Sequence, residues 1–135
     1  MVFAKWSADL SVGVVSLDAQ HQRLFQMFDD LGEAIRGGND REAVGGILDG
    51  LVEYTQEHFL REEKLFAHTN YRDAAAHKLE HDAFVRKVAA LRDEHLSGKD
   101  GVASRVLEFM SAWLRDHIRG TDKRYTAHLN SRGIK

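Results

Sequence analysis

The chain of 135 residues contains no cysteine and no proline. Without cysteine there can be no disulfide and no thiolate ligand, so any metal must be held by nitrogen and oxygen. The same lack fits a reducing cytosol, and a cytoplasmic location is expected. Without proline, punctuation falls to short polar turns, chiefly Gly37-Gly38-Asn39-Asp40 and Ser97-Gly98-Lys99-Asp100-Gly101. Long apolar runs are missing too. The first twenty residues hold only Val12-Gly13-Val14-Val15, broken at Ser16, with Lys5 and Asp9 upstream, so neither a signal peptide nor a membrane span is readable. Charge of one sign is also scarce: 19 basic and 21 acidic residues leave a formal net charge of -2. That balance gives no reason to expect nucleic acid or a membrane surface as partner, and no protein partner is identified.

What is present is helical periodicity over one domain's length, 1–135, read as an arm at 1–17 and a bundle at 18–131. Asp18 is placed to cap a first helix running to about Arg36, with Leu24, Phe28, Leu31 and Ile35 on its apolar face. A second helix runs from about Asp40 to His68 and turns Val44, Ile47, Leu48, Leu51 and Phe59 inward. A third begins near Arg72, after Thr69-Asn70-Tyr71, and carries Phe84, Val88 and Leu91. The fourth begins near Val102 with Val106, Phe109, Met110 and Trp113, and a short helical segment from about Asp122 reaches Asn130. The expected fold is all-α: an up-down-up-down antiparallel four-helix bundle with an N-terminal arm and a short C-terminal helical segment. The apolar residues of the arm, Trp6, Val12, Val14 and Leu17, are expected to pack on the bundle.

The apolar stripes contain residues that do not belong in a bare core: His21, His58 and Glu62, His77 and His81, and His117. Each is in phase with its stripe. Burying a polar ring or a carboxylate with no partner costs several kcal/mol, about 2 to 7 for neutral groups, so five inward histidines demand a shared one. In the expected topology the start of the first helix, the end of the second, the start of the third and the end of the fourth share one end of the bundle. The pairs His58 with Glu62 and His77 with His81 are spaced by four, which puts both members on one helical face.

Asp122 is a seventh candidate, five residues after His117. On a regular helix that step turns the side chain about 140° away. A widened turn or break at Ile118 to Thr121 is therefore predicted, with Gly120 easing the distortion. Five neutral imidazoles and two carboxylates suit a pair of first-row transition ions rather than magnesium or calcium.

His68, His95 and His128 fit no ligand position and are expected near helix ends. Glu63 is expected to be solvated or paired with a nearby cation such as Lys64. The basic residues Arg115, Arg119, Lys123 and Arg124 read as a solvated face.

Along nearly its whole length the chain resembles the bacterial hemerythrins. The resemblance is carried by Trp6-Ser7, Leu10-Ser11-Val12-Gly13-Val14, Leu17-Asp18-Ala19-Gln20-His21, His58-Phe59-Leu60-Arg61-Glu62-Glu63, the pair His77 and His81, and Trp113-Leu114-Arg115-Asp116-His117-Ile118 followed by Asp122-Lys123. Leu10, Phe66 and Arg72 depart from the family's usual residues, and none of them is a ligand. The resemblance implies a non-haem di-iron centre, bridged by oxide or hydroxide, with two iron ions. His77, His81 and His117 would hold one iron, His21 and His58 the other, and Glu62 and Asp122 would bridge. It further implies that the two-histidine iron binds molecular oxygen reversibly, as a peroxide, in an apolar pocket formed by Leu24, Phe59, Trp113, Leu114 and Ile118.

The implied roles are oxygen storage, delivery or sensing, with no catalytic residue. Two alternatives stand beside this: a di-iron redox enzyme acting on peroxide or nitric oxide, and an oxygen- or iron-sensing regulatory module.

Overall fold

Four helical rods follow one another with connections of a few residues, as the glycine-bearing turns require. The computed structural model describes residues 6–135, so positions 1–5 of the expected arm lie outside the described residues. The first helix is Val15–Arg36. The second spans 40–69 as an unbroken helical path: Asp40–Tyr54, a π-helical turn at Thr55–Phe59, then Leu60–Thr69. The third is Ala74–Leu96. The fourth spans 102–131, with Val102–Trp113, a π-helical stretch at Leu114–Thr121, a 3-10 turn at Asp122–Tyr125 and a last helical turn at Thr126–Ser131.

The first helix packs on the second and the fourth, and the third packs on the same two. This is the four-helix bundle expected from the periodicity. Between the first and second rods Gly38 takes a φ of +76°, a left-handed conformation that costs glycine nothing. The turn after the second rod places Asn70 at φ 56°, and the Tyr71 N–H closes back on the Phe66 carbonyl at 3.0 Å. Asparagine is among the few side chains that tolerate this geometry at a helix end. The turn delays the third helix by two residues relative to the Arg72 start expected from the sequence.

Asp18 does not cap the first helix. The Val14 carbonyl already accepts the Asp18 N–H at 2.9 Å, so the helix starts four residues earlier, with Val14 in the capping position. The Asp18 carboxylate instead accepts from the Val12 N–H at 2.8 Å and from the Ser11 hydroxyl. It sits in the first turn, where the helix dipole favours negative charge, and ties the arm to the bundle.

Two apolar clusters result. The larger fills the bundle and includes Leu24, Phe28, Leu31, Leu48, Leu51, Phe59, Phe84, Val88, Leu91, Val106 and Met110, with Trp6, Ile35, Ile47, Phe109 and Trp113 partly buried against it. The smaller closes one end, where Val12, Val14 and Leu17 of the arm region pack with Phe66, Tyr71, Tyr125 and Leu129. Truncating one of the fully buried aromatics, Phe28 for example, costs about 3 to 5 kcal/mol in such a core. Between the two clusters lies a polar layer.

Candidate metal centre

The polar layer consists of His21, His58, Glu62, His77, His81, His117 and Asp122, none more than 2% exposed. All four rods contribute: His21 from the second turn of the first helix, His58 from the π turn of the second and Glu62 from the turn that follows. His77 and His81 lie on the third, and His117 and Asp122 lie on the distorted part of the fourth. The smaller cluster seals the layer from outside, with Phe66 and Tyr125 against His77 at ring separations of 4.9 and 5.8 Å.

The fourth rod shows how Asp122 reaches this layer. Its helix widens to π geometry from Leu114 to Thr121 and then tightens to 3-10 geometry at Asp122. Each π turn takes up one extra residue, so a side chain five positions on returns to the same face. His117 Nε2 and Asp122 Oδ1 are consequently 2.9 Å apart. The distortion begins earlier than the Ile118 expected from the sequence. A second π turn, at Thr55–Phe59, lets the adjacent residues His58 and Phe59 both face inward, and was not foreseen.

The ligand-type atoms fall into two groups, each within 4.8 Å: Glu62, His77, His81, His117 and Asp122 in one, His21, His58, Glu62 and Asp122 in the other. The two carboxylates belong to both and divide their oxygens between them. Glu62 Oε1 lies 3.3 Å from His77 Nε2 and 3.0 Å from His81 Nε2, whereas Oε2 lies 3.3 Å from His58 Nε2 and 3.8 Å from His21 Nε2. Asp122 Oδ1 is 2.9 Å from both His77 and His117, and Oδ2 is 3.1 Å from His21.

Short as these separations are, His77, His81 and His117 Nε2, both Asp122 oxygens and Glu62 Oε1 have no hydrogen-bond partner among the described residues. The atoms converge without the directionality of a hydrogen bond. So many orphaned buried polar atoms, facing inward from imidazoles and carboxylates, fit nitrogen and oxygen ligands around a pair of transition ions.

Outside the layer the rings are oriented by further partners. His58 Nδ1 lies 2.6 Å from Gln20 Oε1, His81 Nδ1 2.8 Å from Glu63 Oε2, and His117 Nδ1 3.0 Å from Glu80 Oε1. Each outer nitrogen therefore donates its proton outward and leaves an Nε2 lone pair facing in, the tautomer a metal ligand needs. The Thr121 hydroxyl donates to the same Glu80 oxygen at 3.0 Å, and the Tyr125 hydroxyl to Glu62 Oε2 at 2.6 Å. Glu63 is thus an acceptor for His81, only 27% exposed, and not the solvated or Lys64-paired residue expected. Its position on an outward-leaning face hid this role in the sequence, and nothing in the sequence singled out Glu80 or Gln20.

Burial works against charge on His21 and His77, but the Asp122 and Glu62 carboxylates beside them prevail and raise the two pKa values to about 9 and about 10. At His58 burial dominates and lowers the pKa. Burial alone would raise Glu62 and Asp122; the surrounding imidazoles overcome it and hold both below the ordinary carboxylate range. The site is built to hold positive charge between two carboxylates.

The five residues expected to line an oxygen pocket all belong to the larger apolar cluster or pack against it. Leu24, Phe59, Leu114 and Ile118 are buried, and Trp113 is partly so. Phe59 stacks on His81 with rings 3.8 Å apart and 2° from parallel, and Trp113 stacks on His117 at 3.8 Å and 13°. Tyr54 joins them unforeseen: its ring stacks on His58 at 4.9 Å and its buried hydroxyl has no partner. His68 and His95 lie in last turns of their helices, and His128 Nε2 donates to the Thr69 carbonyl, 2.9 Å away at the end of the second rod.

A profile of the hemerythrin HHE cation binding domain matches residues 12–129. The chain is 37% identical over 134 residues to a protein of Stenotrophomonas maltophilia named bacteriohemerythrin, covering 96% of this chain and 86% of that one. A bacteriohemerythrin of Methylococcus capsulatus is 35% identical over 132 residues, covering 97% of this chain and all of its own length. A crystal structure of wild-type hemerythrin superposes with a TM-score of 0.84 at 35% identity, covering 93% of this chain and 97% of that one.

Proposed function

The chain belongs to the hemerythrin family, and from that premise we propose that it is a non-haem di-iron protein that binds molecular oxygen reversibly at the layer of His21, His58, Glu62, His77, His81, His117 and Asp122. The observation that carries the reading is the orphaned set of inward-facing Nε2 and carboxylate oxygens at the meeting point of four helices. His77, His81 and His117 would hold one ion and His21 and His58 the other, with Glu62 and Asp122, which belong to both groups, shared between them. When bound, a ferrous pair would supply the two electrons that reversible oxygen binding as a peroxide needs.

The chain's own contribution is to orient, neutralise and exclude. Gln20, Glu63 and Glu80 fix ring orientation from outside. Two carboxylates would offset only part of the charge of two divalent ions, so the loaded site would favour a small anion as well. Leu24, Phe59, Trp113, Leu114 and Ile118 keep water away, and no uncommitted histidine or carboxylate among them can deliver a proton to a reduced ligand. That composition favours release over chemistry, so the proposed role is storage, delivery or sensing of oxygen rather than catalysis.

The reading takes 1–135 as one domain whose first residues form an arm, and places it in the cytoplasm. No helix among the described residues is long and apolar enough to cross a membrane.

The test is a visible spectrum of the iron-loaded protein, reduced under nitrogen, exposed to air and returned to nitrogen. A charge-transfer band that appears with oxygen and vanishes on its removal is expected. Irreversible conversion to a diferric spectrum would remove the carrier role.

A further inference from the structure

The outer hydrogen bonds are not shared evenly between the two groups of ligands. On the three-histidine side, His81 donates to the carboxylate of Glu63 at 2.8 Å and His117 to that of Glu80 at 3.0 Å. On the two-histidine side, His58 donates to the neutral amide oxygen of Gln20 at 2.6 Å, and the buried Nδ1 of His21 has no partner among the described residues. A carboxylate acceptor draws the Nδ1 proton and makes the opposite nitrogen more basic, whereas an amide oxygen does so far less.

Glu62 adds to the inequality. Its Oε2, which faces His21 and His58, accepts the Tyr125 hydroxyl at 2.6 Å. That bond withdraws charge from the oxygen serving the two-histidine side. Oε1, which faces His77 and His81, has no hydrogen-bond partner. Both features, from different residues, push in one direction.

We propose that Glu63 and Glu80 are positioning residues that make the three-histidine position the tighter of the two, so that it fills first and the two-histidine position fills second. Glu80 does this with one oxygen that also accepts the Thr121 hydroxyl at 3.0 Å, pinning the end of the π-helical stretch immediately before Asp122. The consequence for the site is an anchored ion beside a more loosely held one, with the loosely held one on the side of Gln20 and Tyr54. The inference rests on the seven-ligand reading given above.

Anaerobic titration of the metal-free protein with cobalt(II), followed by calorimetry and by the cobalt visible spectrum, tests it. The wild type should take up two ions in separable steps. The variant E63Q/E80Q keeps both acceptor oxygens and loses both charges; its first step should weaken roughly 10- to 100-fold, with the second within about threefold of its wild-type value. The reciprocal Gln20→Glu should strengthen the second step and narrow the gap, a gain that a merely structural role for these side chains cannot produce. Glu63 and Glu80 are 27% and 43% exposed, so circular dichroism should be unchanged in the double variant. Two equal steps in the wild type, or an E63Q/E80Q titration that weakens both steps alike or neither, would overturn the proposal while leaving the ligand set standing. Uptake of fewer than two ions by the wild type would overturn the ligand set itself, and the proposal with it.

Discussion

His117 and Asp122, five residues apart in the chain, bring Nε2 and Oδ1 to within 2.9 Å of each other because the helix between them is π-helical. The register of the fourth rod therefore decides whether one shared carboxylate reaches the site. Inserting one alanine between Ile118 and Arg119 should rotate Asp122 by about 100° and reduce tightly bound iron from two per chain to one or fewer. The same insertion between Gly98 and Lys99, in the exposed turn, should leave two. Iron measured per folded chain distinguishes the cases, and equal loading of the two insertions would contradict the role of the π turn.

The ligand assignment separates histidines that look alike in composition. His77→Ala and His117→Ala should each abolish stable loading of two irons. His128→Ala should not, because His128 binds the Thr69 carbonyl at the end of the second rod and lies outside both ligand groups. Equal iron content in the three variants would sink the assignment.

Most of this arrangement was legible in the sequence because the inward histidines and Glu62 obey the same periodicity as the core. Leu51 predicts His58, Phe84 predicts His77 and His81, and Trp113 predicts His117, each by counting turns. Asp122 was legible as a conflict with that counting, which is why a distorted turn was expected there. The π turn at Thr55–Phe59 leaves no mark in the sequence, because the His58 to Glu62 spacing is itself regular. Glu63, Glu80 and Gln20 were illegible for another reason: a charged or amide residue on an outward-leaning face has the same sequence signature whether it is solvated or holds a histidine ring. Asp18 misled because an acidic residue in a first turn resembles a cap, and only the path of the arm tells it apart from a clasp.

Protons and metal compete for the same atoms. His21 and His77 have pKa values raised from 6.5 to about 9 and about 10, so in the metal-free protein near pH 7.5 both carry protons, and loading two ions should release about two of them. A raised histidine pKa contributes stability that is complete below its ordinary 6.5 and is lost as pH climbs through 9 to 10. The lowered Glu62 and Asp122 contribute stability that is complete above their ordinary values of 4.5 and 3.8 and fades as pH falls below them. His58, lowered by burial, acts the other way and loses stability as pH falls below its ordinary 6.5, so metal-free protein should melt highest near about pH 6.5 and lower toward both about pH 4 and about pH 10. At pH 7.5 iron should raise the melting temperature, since it binds the folded chain alone. A metal-free melting curve that rises steadily from pH 6 to pH 10 would contradict the charge arrangement.

Tyr54 offers a test of what the interior tolerates. Its hydroxyl is buried without a partner and its ring stacks on His58. Burying an unsatisfied hydroxyl costs about 1 to 3 kcal/mol, so Tyr54→Phe should leave stability unchanged or raise it by about 1 kcal/mol, with two irons still bound. A loss of more than about 1 kcal/mol in denaturant unfolding would mean that the hydroxyl has a partner in solution.

Phe59 carries two duties that its truncation should separate. It fills the core against Tyr54, Phe84 and Trp113, and it lies flat on His81. On its other side is a groove of about 620 Å³ between the second and third rods, lined by Phe59, His81, Glu63, Val85 and Val88 among others. Phe59→Ala should cost about 3 to 5 kcal/mol as a cavity, and should also open the floor of that groove toward the buried layer. Phe59→Leu retains most of the volume, so it should recover most of the stability and still leave part of His81 uncovered. If the ring's main service is to exclude water, both variants should bind two irons, yet lose the oxygen-dependent visible band faster than wild type on standing in air, alanine faster than leucine. If the band persists equally in all three while stability falls only in the alanine variant, Phe59 is a packing residue and the shielding of the site rests on Leu24, Leu114 and Ile118.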